Sequence, residues 1–280
     1  MFLLRPDAET NNAYLYCLIV AASRFGIDIM MMCAMSNHHH LVIFDRNGRY
    51  PEFIEHLHKL LARSQNALRG RWEYFWAAGQ ASVVAVYRDE TPLPPSAYRA
   101  VLITGSPAMV TDHEPWSEAA AAWLREAVAA GLPVFGVCYG HQLLAYALGG
   151  EVDYNPAGRS LGTRAVERTG DDPLTAGLPM QFPAQMMHSQ IVTRPPAGSV
   201  ILARASHDPY QLLRYAPGVY SSQFHPEFGA DFMREYLMHN AQHLSEKGYD
   251  APALADALEP TPQATGLLKR FLDLHATRTA

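Results

Sequence analysis

The junction at residues 133–142 constrains this chain more than any other stretch. Pro133-Val134-Phe135-Gly136-Val137 has the length and apolar character of a buried strand, and a helical pattern starts directly after it. Cys138 stands between the two, with Gly136 and Gly140 on either side. So abrupt a turn crowds the backbone, and glycine relieves the crowding because it carries no Cβ. The side chain at the apex is thrust outward at a helix N-terminus, where unpaired N–H groups favour an anion. Upstream the same alternation holds: residues 100–104 read as a strand and 116–130 as an alanine-rich helix. Short apolar strands separated by helices predict an α/β fold, with a parallel sheet covered on both faces.

The 280 residues leave room for one large domain or two modest ones, and 49% hydrophobic composition places the chain well away from the disordered class. Acidic residues (27) outnumber basic ones (22), a net charge of −5, which excludes a global basic field for nucleic acid. The 3 cysteines, Cys17, Cys33 and Cys138, have neither a disulfide framework nor metal-ligand spacing. Scattered thiols of odd number suit a reducing cytosol. The opening residues, with Arg5, Pro6, Asp7 and Glu9, lack the apolar core of a signal peptide. The longest apolar region, 13–22, is half of what a membrane span requires. The expectation is a soluble, cytoplasmic protein with no membrane partner.

The first part of the chain has a different pattern. Residues 9–25 read as a helix with Leu15, Leu18, Ile19 and Ala22 on its apolar side. Residues 29–35 are a continuous apolar run suited to a strand, turned at Ser36-Asn37, with 40–44 as its antiparallel return. Pro51 opens a helix to about Leu68, carrying Phe53, Ile54, Leu57, Leu60 and Leu61 at helical spacing. Residues 81–87 read as a further strand, and Thr91-Pro92-Leu93-Pro94-Pro95 as a seam. These signals divide the chain into an α+β region over 1–86 and an α/β domain over 87–280, the latter ending in a mostly helical stretch, 229–275.

A cysteine alone is more often a packing residue than a nucleophile. Here it is joined by His225-Pro226-Glu227, an imidazole and a carboxylate two residues apart. His225 can accept the thiol proton of Cys138, and Glu227 can hold its ring and stabilise the imidazolium. Nucleophile, base and orienter together suffice to attack an amide carbonyl.

The runs Gly136-Val137-Cys138-Tyr139-Gly140-His141-Gln142, Ala147-Leu148-Gly149-Gly150 and Gln223-Phe224-His225-Pro226-Glu227 resemble the class I, triad-type glutamine amidotransferases. Within them the chain is most similar to stand-alone members related to the glutaminase domain of GMP synthase. Residues 104–112 match the loop that the family places opposite the nucleophile, and His188-Ser189-Gln190-Ile191-Val192 its substrate segment. The resemblance runs from about residue 84 to the C-terminus. It implies a flavodoxin-like sheet, with Cys138, His225 and Glu227 as catalytic triad and backbone N–H groups of Gly105 and Tyr139 as oxyanion hole. It further implies that Gln142, Ser189 and Gln190 hold the glutamine, with no cofactor. The family's first strand and helix have no counterpart ahead of Val83, so a missing first strand and an exposed sheet edge are expected.

In the first region, Asn37-His38-His39-His40-Leu41 puts His38 and His40 on one face of a strand, where two imidazoles can bind a divalent cation. With the helix over 51–69 and Trp72-Glu73-Tyr74-Phe75-Trp76, this resembles the tyrosine His-hydrophobic-His single-strand DNA transposases of the repeat-associated branch, over about residues 2–86. The resemblance implies an N-terminal ferredoxin-like α+β fragment and a Mg or Mn ion at His38 and His40. The family's nucleophilic tyrosine run is absent, and His39 replaces its usual hydrophobic residue. This suggests a fusion of two truncated genes.

The expected function is release of ammonia from the glutamine side chain through a cysteinyl thioester. The chain has neither a Gly-x-x-x-x-Gly-Lys-Ser/Thr loop nor a Ser-Gly-Gly-x-Asp-Ser run, so either the acceptor falls to a separate synthetase chain or the reaction is plain hydrolysis of a γ-glutamyl amide. The alternatives are an inactive fusion, or single-stranded DNA binding through Arg63, Arg69 and Arg71 beside Trp72 and Trp76.

Overall fold

A computed structural model of the chain describes residues 8–34, 39–45, 47–68 and 83–275. The chain divides into two compact units, Met1–Val83 and Val84–Ala280.

The first unit contains α1 (Ala8–Phe25), β1 (Ile27–Ala34), β2 (His39–Asp45) and α2 (Tyr50–Leu68). β1 and β2 form an antiparallel pair, with Ile27 opposite Asp45 and Ala34 opposite His39. Asp45 then accepts hydrogen bonds from the N–H groups of Asn47 and Tyr50, at 3.2 and 2.7 Å, and so ties the loop to the start of α2. The core is Tyr14, Cys17, Leu18, Ala21 and Phe25 of α1 against Phe53, Leu57 and Leu61 of α2. The apolar side of α1 is therefore rotated from the expected one. Leu18 and Ala22 are buried, but Leu15 is 40% and Ile19 63% exposed, because Tyr14, Cys17 and Ala21 fill the face toward α2. His38, the side chain of His40 and the aromatic run 72–76 lie outside the described residues.

The second unit holds β3 (Val101–Ile103), α3 (Pro115–Ala129), β4 (Val134–Val137), α4 (Tyr139–Ala147), β5 (Glu151–Tyr154) and β6 (Ser160–Arg168). There follow β7 (Gln181–His188), β8 (Gln190–Arg194), β9 (Val200–Ala205), β10 (Asp208–Ala216) and β11 (Val219–Ser222). Four helices close the chain: α5 (Ala230–His239), α6 (Ala241–Glu246), α7 (Ala251–Asp256) and α8 (Pro262–His275). Seven strands form one sheet in the order β3-β4-β11-β10-β9-β6-β7, and β5 pairs with β8 apart from it.

The sheet is mixed. β3, β4 and β11 are parallel, whereas β11-β10, β10-β9, β9-β6 and β6-β7 are antiparallel. For β9-β10 and β10-β11 the reason is local. Ala205 faces Asp208, and Ala216 faces Val219 across Pro217-Gly218, where Gly218 has φ +77°. Two-residue hairpins of this kind leave no room for a crossover helix, so the strands they join must run in opposite directions.

Alternation along β4 divides the core. Val134 joins Leu124 of α3 and Leu143 and Leu144 of α4 on one face. Phe135 joins Leu267 and Phe271 of α8 on the other, with the two phenyl rings edge to face at 5.4 Å. Both faces are thus covered by helices, as a flavodoxin-like sheet requires. Residues 81 and 82 lie outside the described residues; 83–85 have no regular structure and Val86–Arg88 form a 3-10 turn, which corrects the strand expected over 81–87 for its described part. The described residues there are exposed, Val83 at 63% and Tyr87 at 60%. Among the described residues β3 pairs with β4 alone. In that same set, no helix is long and apolar enough to cross a membrane.

Candidate active site

The glycines around Cys138 are demanded by close approach. A Cβ on Gly136 would lie 2.4 Å from the carbonyl oxygen of Gly140, and one on Gly140 would lie 2.5 Å from that of Ile103. Both distances are shorter than any real contact, so strand, helix and neighbouring strand meet only because these side chains are absent. Cys138 caps α4 at φ +51°, ψ −103°, a strained setting for a residue with a Cβ. Its backbone is pinned on both sides: the N–H donates to Ser222 C=O at 2.9 Å, and its C=O accepts from Gln142 N–H at 3.1 Å. Its Sγ lies 3.6 Å from the Met187 carbonyl oxygen, toward which the thiol is directed.

His225 follows β11, the parallel neighbour of β4. Its N–H donates to Gln185 C=O on β7 at 2.9 Å. Nδ1 donates to Glu227 Oε1 at 2.7 Å, and the ring stacks on Phe228 at 4.2 Å, with only 3° between the planes. Nε2 is buried and has no hydrogen-bond partner among the described residues. Burial opposes a charge on this ring, but the neighbouring Cys138 and Glu227 outweigh it and raise its pKa. The side chain of Glu227 is 34% exposed, so the pair opens to solvent at its carboxylate end.

Gly105 lies against both groups. A Cβ added there would sit 3.3 Å from His225 Cε1 and 3.6 Å from Cys138 Cβ. The N–H of Tyr139 is the first of α4, one of the amides that a helix leaves unpaired. The Tyr139 side chain points elsewhere: it is buried, with its hydroxyl 2.5 Å from Ser117 Oγ.

Gln142 and Gln190 are both buried, and the Gln142 side chain bonds to the Gln190 backbone. Gln142 Nε2 donates to Gln190 C=O at 2.7 Å and to Gln223 Oε1 at 3.0 Å. The Gln190 side chain accepts from Val110 N–H at 3.0 Å and donates to Thr111 Oγ1 at 2.5 Å, fastening the 3-10 turn Val110–Asp112. Ser189 is half-buried, and its carbonyl accepts from Asn155 N–H at 2.9 Å.

His141 and His188 are also close by and buried, and burial drives each down to about 3, which keeps them neutral. His225 is the nearby histidine whose surroundings favour the imidazolium. Phe228 was missed in the sequence, although an aromatic residue directly after His225-Pro226-Glu227 was a visible signal. The described residues contain no group of three His, Cys, Asp or Glu side chains able to hold a metal ion.

A thiol at a strained elbow, a buried imidazole beside it and a carboxylate on the far side of that ring define a cysteine-histidine-glutamate site on an α/β sheet. The family model "Glutamine amidotransferase class-I" matches residues 71–242. The chain belongs to that family. It is 38% identical over 145 residues to a GMP synthase [glutamine-hydrolyzing] of Thermomicrobium roseum, covering 50% of this chain and 26% of that one. With the Aeropyrum pernix enzyme of the same name it shares 40% over 129 residues, 45% of this chain and 24% of that one. The matched part thus spans about a quarter of the length of these curated relatives. A glutamine amidotransferase structure from Thermotoga maritima shares the fold, with TM-score 0.60 and 20% identity over 76% of this chain and 90% of that one. Another, from Methylobacillus flagellatus, does so with TM-score 0.57 and 23% identity over 69% of this chain and 84% of that one.

Proposed function

We propose that this chain releases ammonia from the side-chain amide of glutamine and delivers it to an acceptor held by another chain. The observation that carries the reading is the placement of His225, with Nδ1 on Glu227 and an unpaired Nε2 beside Cys138.

In this reading the Cys138 thiol gives its proton to His225, and the sulfur attacks the amide carbon. Negative charge on the amide oxygen is met by the N–H groups of Gly105 and Tyr139, an arrangement worth several kcal/mol elsewhere. Collapse of the tetrahedral adduct breaks the carbon–nitrogen bond, and His225 returns its proton to the leaving ammonia. The thioester is then attacked by water, which His225 deprotonates. Glutamate leaves and the thiol is restored. Glu227 keeps the ring in the required orientation and stabilises its charged form. Gln142 and the Ser189-Gln190 segment line the place where the glutamine sits. The relatives' name, a synthase that hydrolyses glutamine, supports an acceptor-activating partner, which this chain's own motifs do not supply.

The test is intact-mass labelling with a diazoketone analogue of glutamine. The expected result is a single adduct on Cys138, blocked by excess glutamine and lost in Cys138→Ala. A well-folded protein that takes no adduct would reject the reading in favour of an inactive fusion.

A further inference from the structure

The loop between β5 and β6 brackets one residue of the segment that joins β7 to β8. Tyr154 lies opposite Gln190, the Asn155 N–H donates to Ser189 C=O at 2.9 Å, and Ser160 lies opposite His188. Residues 155–159 therefore pass around Ser189. The same ladder sets Leu161 opposite Met187, whose carbonyl oxygen lies 3.6 Å from Cys138 Sγ. The loop is held in a fixed form. Asn155 Oδ1 accepts from Ala157 N–H at 2.9 Å, Asn155 C=O accepts from Gly158 N–H at 2.9 Å, and Asn155 Nδ2 donates to His207 C=O at 3.3 Å. Gly158, at φ +83°, supplies the left-handed conformation that turns the chain into β6.

The loop ends in Arg159, whose guanidinium donates to the Tyr236 hydroxyl of α5 at 3.3 Å. Tyr236 stands one turn beyond Phe232, which backs the Phe228 ring stacked on His225. Arg159 is thus fixed from two directions, by the loop around Ser189 and by the helix behind the base. Its positive charge reaches His188: burial is the main cause of that ring's neutrality, and Arg159 adds to it. Arg168, Arg194, Arg204 and Arg214 each meet a carboxylate. Arg159, half-buried, forms no ion pair among the described residues, and Tyr236 takes one of its five N–H groups. A partly desolvated guanidinium with donors to spare calls for an anion, and its planar fork matches a carboxylate.

We propose that Arg159 binds the α-carboxylate of the substrate, so that the site takes free glutamine and other γ-amides of glutamate and refuses glutamine inside a peptide chain. The proposal rests on the amidotransferase reading, which seats glutamine against Ser189 and Gln190. Glutamine carries its anion at the end remote from the amide under attack. Cys138, His225 and Glu227 act at that amide alone and cannot sense the other end. Arg159 can, because a glutamine within a peptide has a neutral amide in place of the carboxylate. Binding it would leave the guanidinium desolvated and unpaired.

The experiment compares two diazoketone labels of Cys138 on the full chain: the glutamine analogue, and its α-carboxamide, which has nearly the same shape and no negative charge. The parent protein should favour the acid, with a KI about ten- to hundredfold lower, the size of a hydrogen-bonded contact between charged groups. In Arg159→Gln that preference should shrink to about threefold or less, through a higher KI for the acid with that of the carboxamide little changed. Arg159→Lys keeps the charge and loses the fork, so its preference should fall about threefold. A merely structural role would move both labels alike. Equal rises for the two labels, a parent that takes both equally, or the parent's full preference in either variant would overturn the proposal, while labelling of Cys138 upholds the amidotransferase reading. A parent that takes neither label overturns both.

Discussion

The ring of Phe228 lies flat on that of His225, centroids 4.2 Å apart and planes within 3°, while Phe232 backs it from the other side at 4.2 Å. A proton carrier that must swing toward neither solvent nor substrate is thus held by a carboxylate at one edge and a hydrocarbon plate on one face. Phe228→Ala should slow labelling of Cys138 about three- to tenfold, the equivalent of one aromatic pair, with KI nearly unchanged. A rise in KI with no change in limiting rate would show that Phe228 shapes the pocket and not the base.

The elbow glycines allow a contrast within one residue type. Gly140→Ala would press a methyl into the Ile103 carbonyl at 2.5 Å. It should cost about 3 kcal/mol or more, with loss of labelling. Gly266, exposed in α8 with open space around its Cα, is the control. Gly266→Ala should stabilise by about 0.5–1 kcal/mol, since alanine loses less conformational freedom in a helix. Denaturant unfolding of the two variants measures both.

Tyr139 separates a backbone role from a side-chain role. Its hydroxyl serves Ser117, 2.5 Å away. Tyr139→Phe should therefore cost about 1–2 kcal/mol of stability, because a buried hydroxyl loses its partner, and leave labelling within about twofold. A variant that folds normally but no longer reacts would show that the hydroxyl, and not the amide, serves the site.

Asp208 is held at about 6, well above its ordinary 3.8, because burial penalises the charge more than Tyr210 N–H and Gln211 relieve it. Between these values the folded state binds the extra proton, so the group's contribution favours folding below about pH 4 and is lost as the pH rises through 6. The difference amounts to about 3 kcal/mol. Asp208→Asn should flatten that fall in unfolding free energy between pH 4.5 and 7.5. Parallel profiles for the two proteins would contradict the assignment.

Legibility in the sequence followed how local the cause was. The elbow could be read because Gly136, Cys138 and Gly140 fall within five residues and their need is steric. The pairing with His225 and Glu227 was legible because both residue types carry their chemistry in any fold. The antiparallel run of β9, β10 and β11 was less so, since its cause is the two-residue turns at 206–207 and 217–218 and not the strands themselves. The apolar side of α1 was misread because Tyr14 and Cys17 compete with Leu15 and Ile19, and the partner helix decides between them. The part played by Gln190 was hidden for a similar reason. Its side chain secures Val110 and Thr111, 80 and 79 residues upstream, a relation that no spacing encodes.

The parallel pairing of β4 with β11 places Val137 beside Ser222, and the hydrogen bond from Cys138 N–H to Ser222 C=O extends that ladder by one rung. The separation of Cys138 from His225 is therefore a main-chain dimension. Side chains along either strand can be exchanged at a cost in stability without altering it. A single residue inserted into one strand, however well matched in character, would displace one partner by about 3.3 Å and send its neighbours to the opposite face. The reaction geometry is indexed by counting residues, so these two strands should tolerate substitution far better than any change of length.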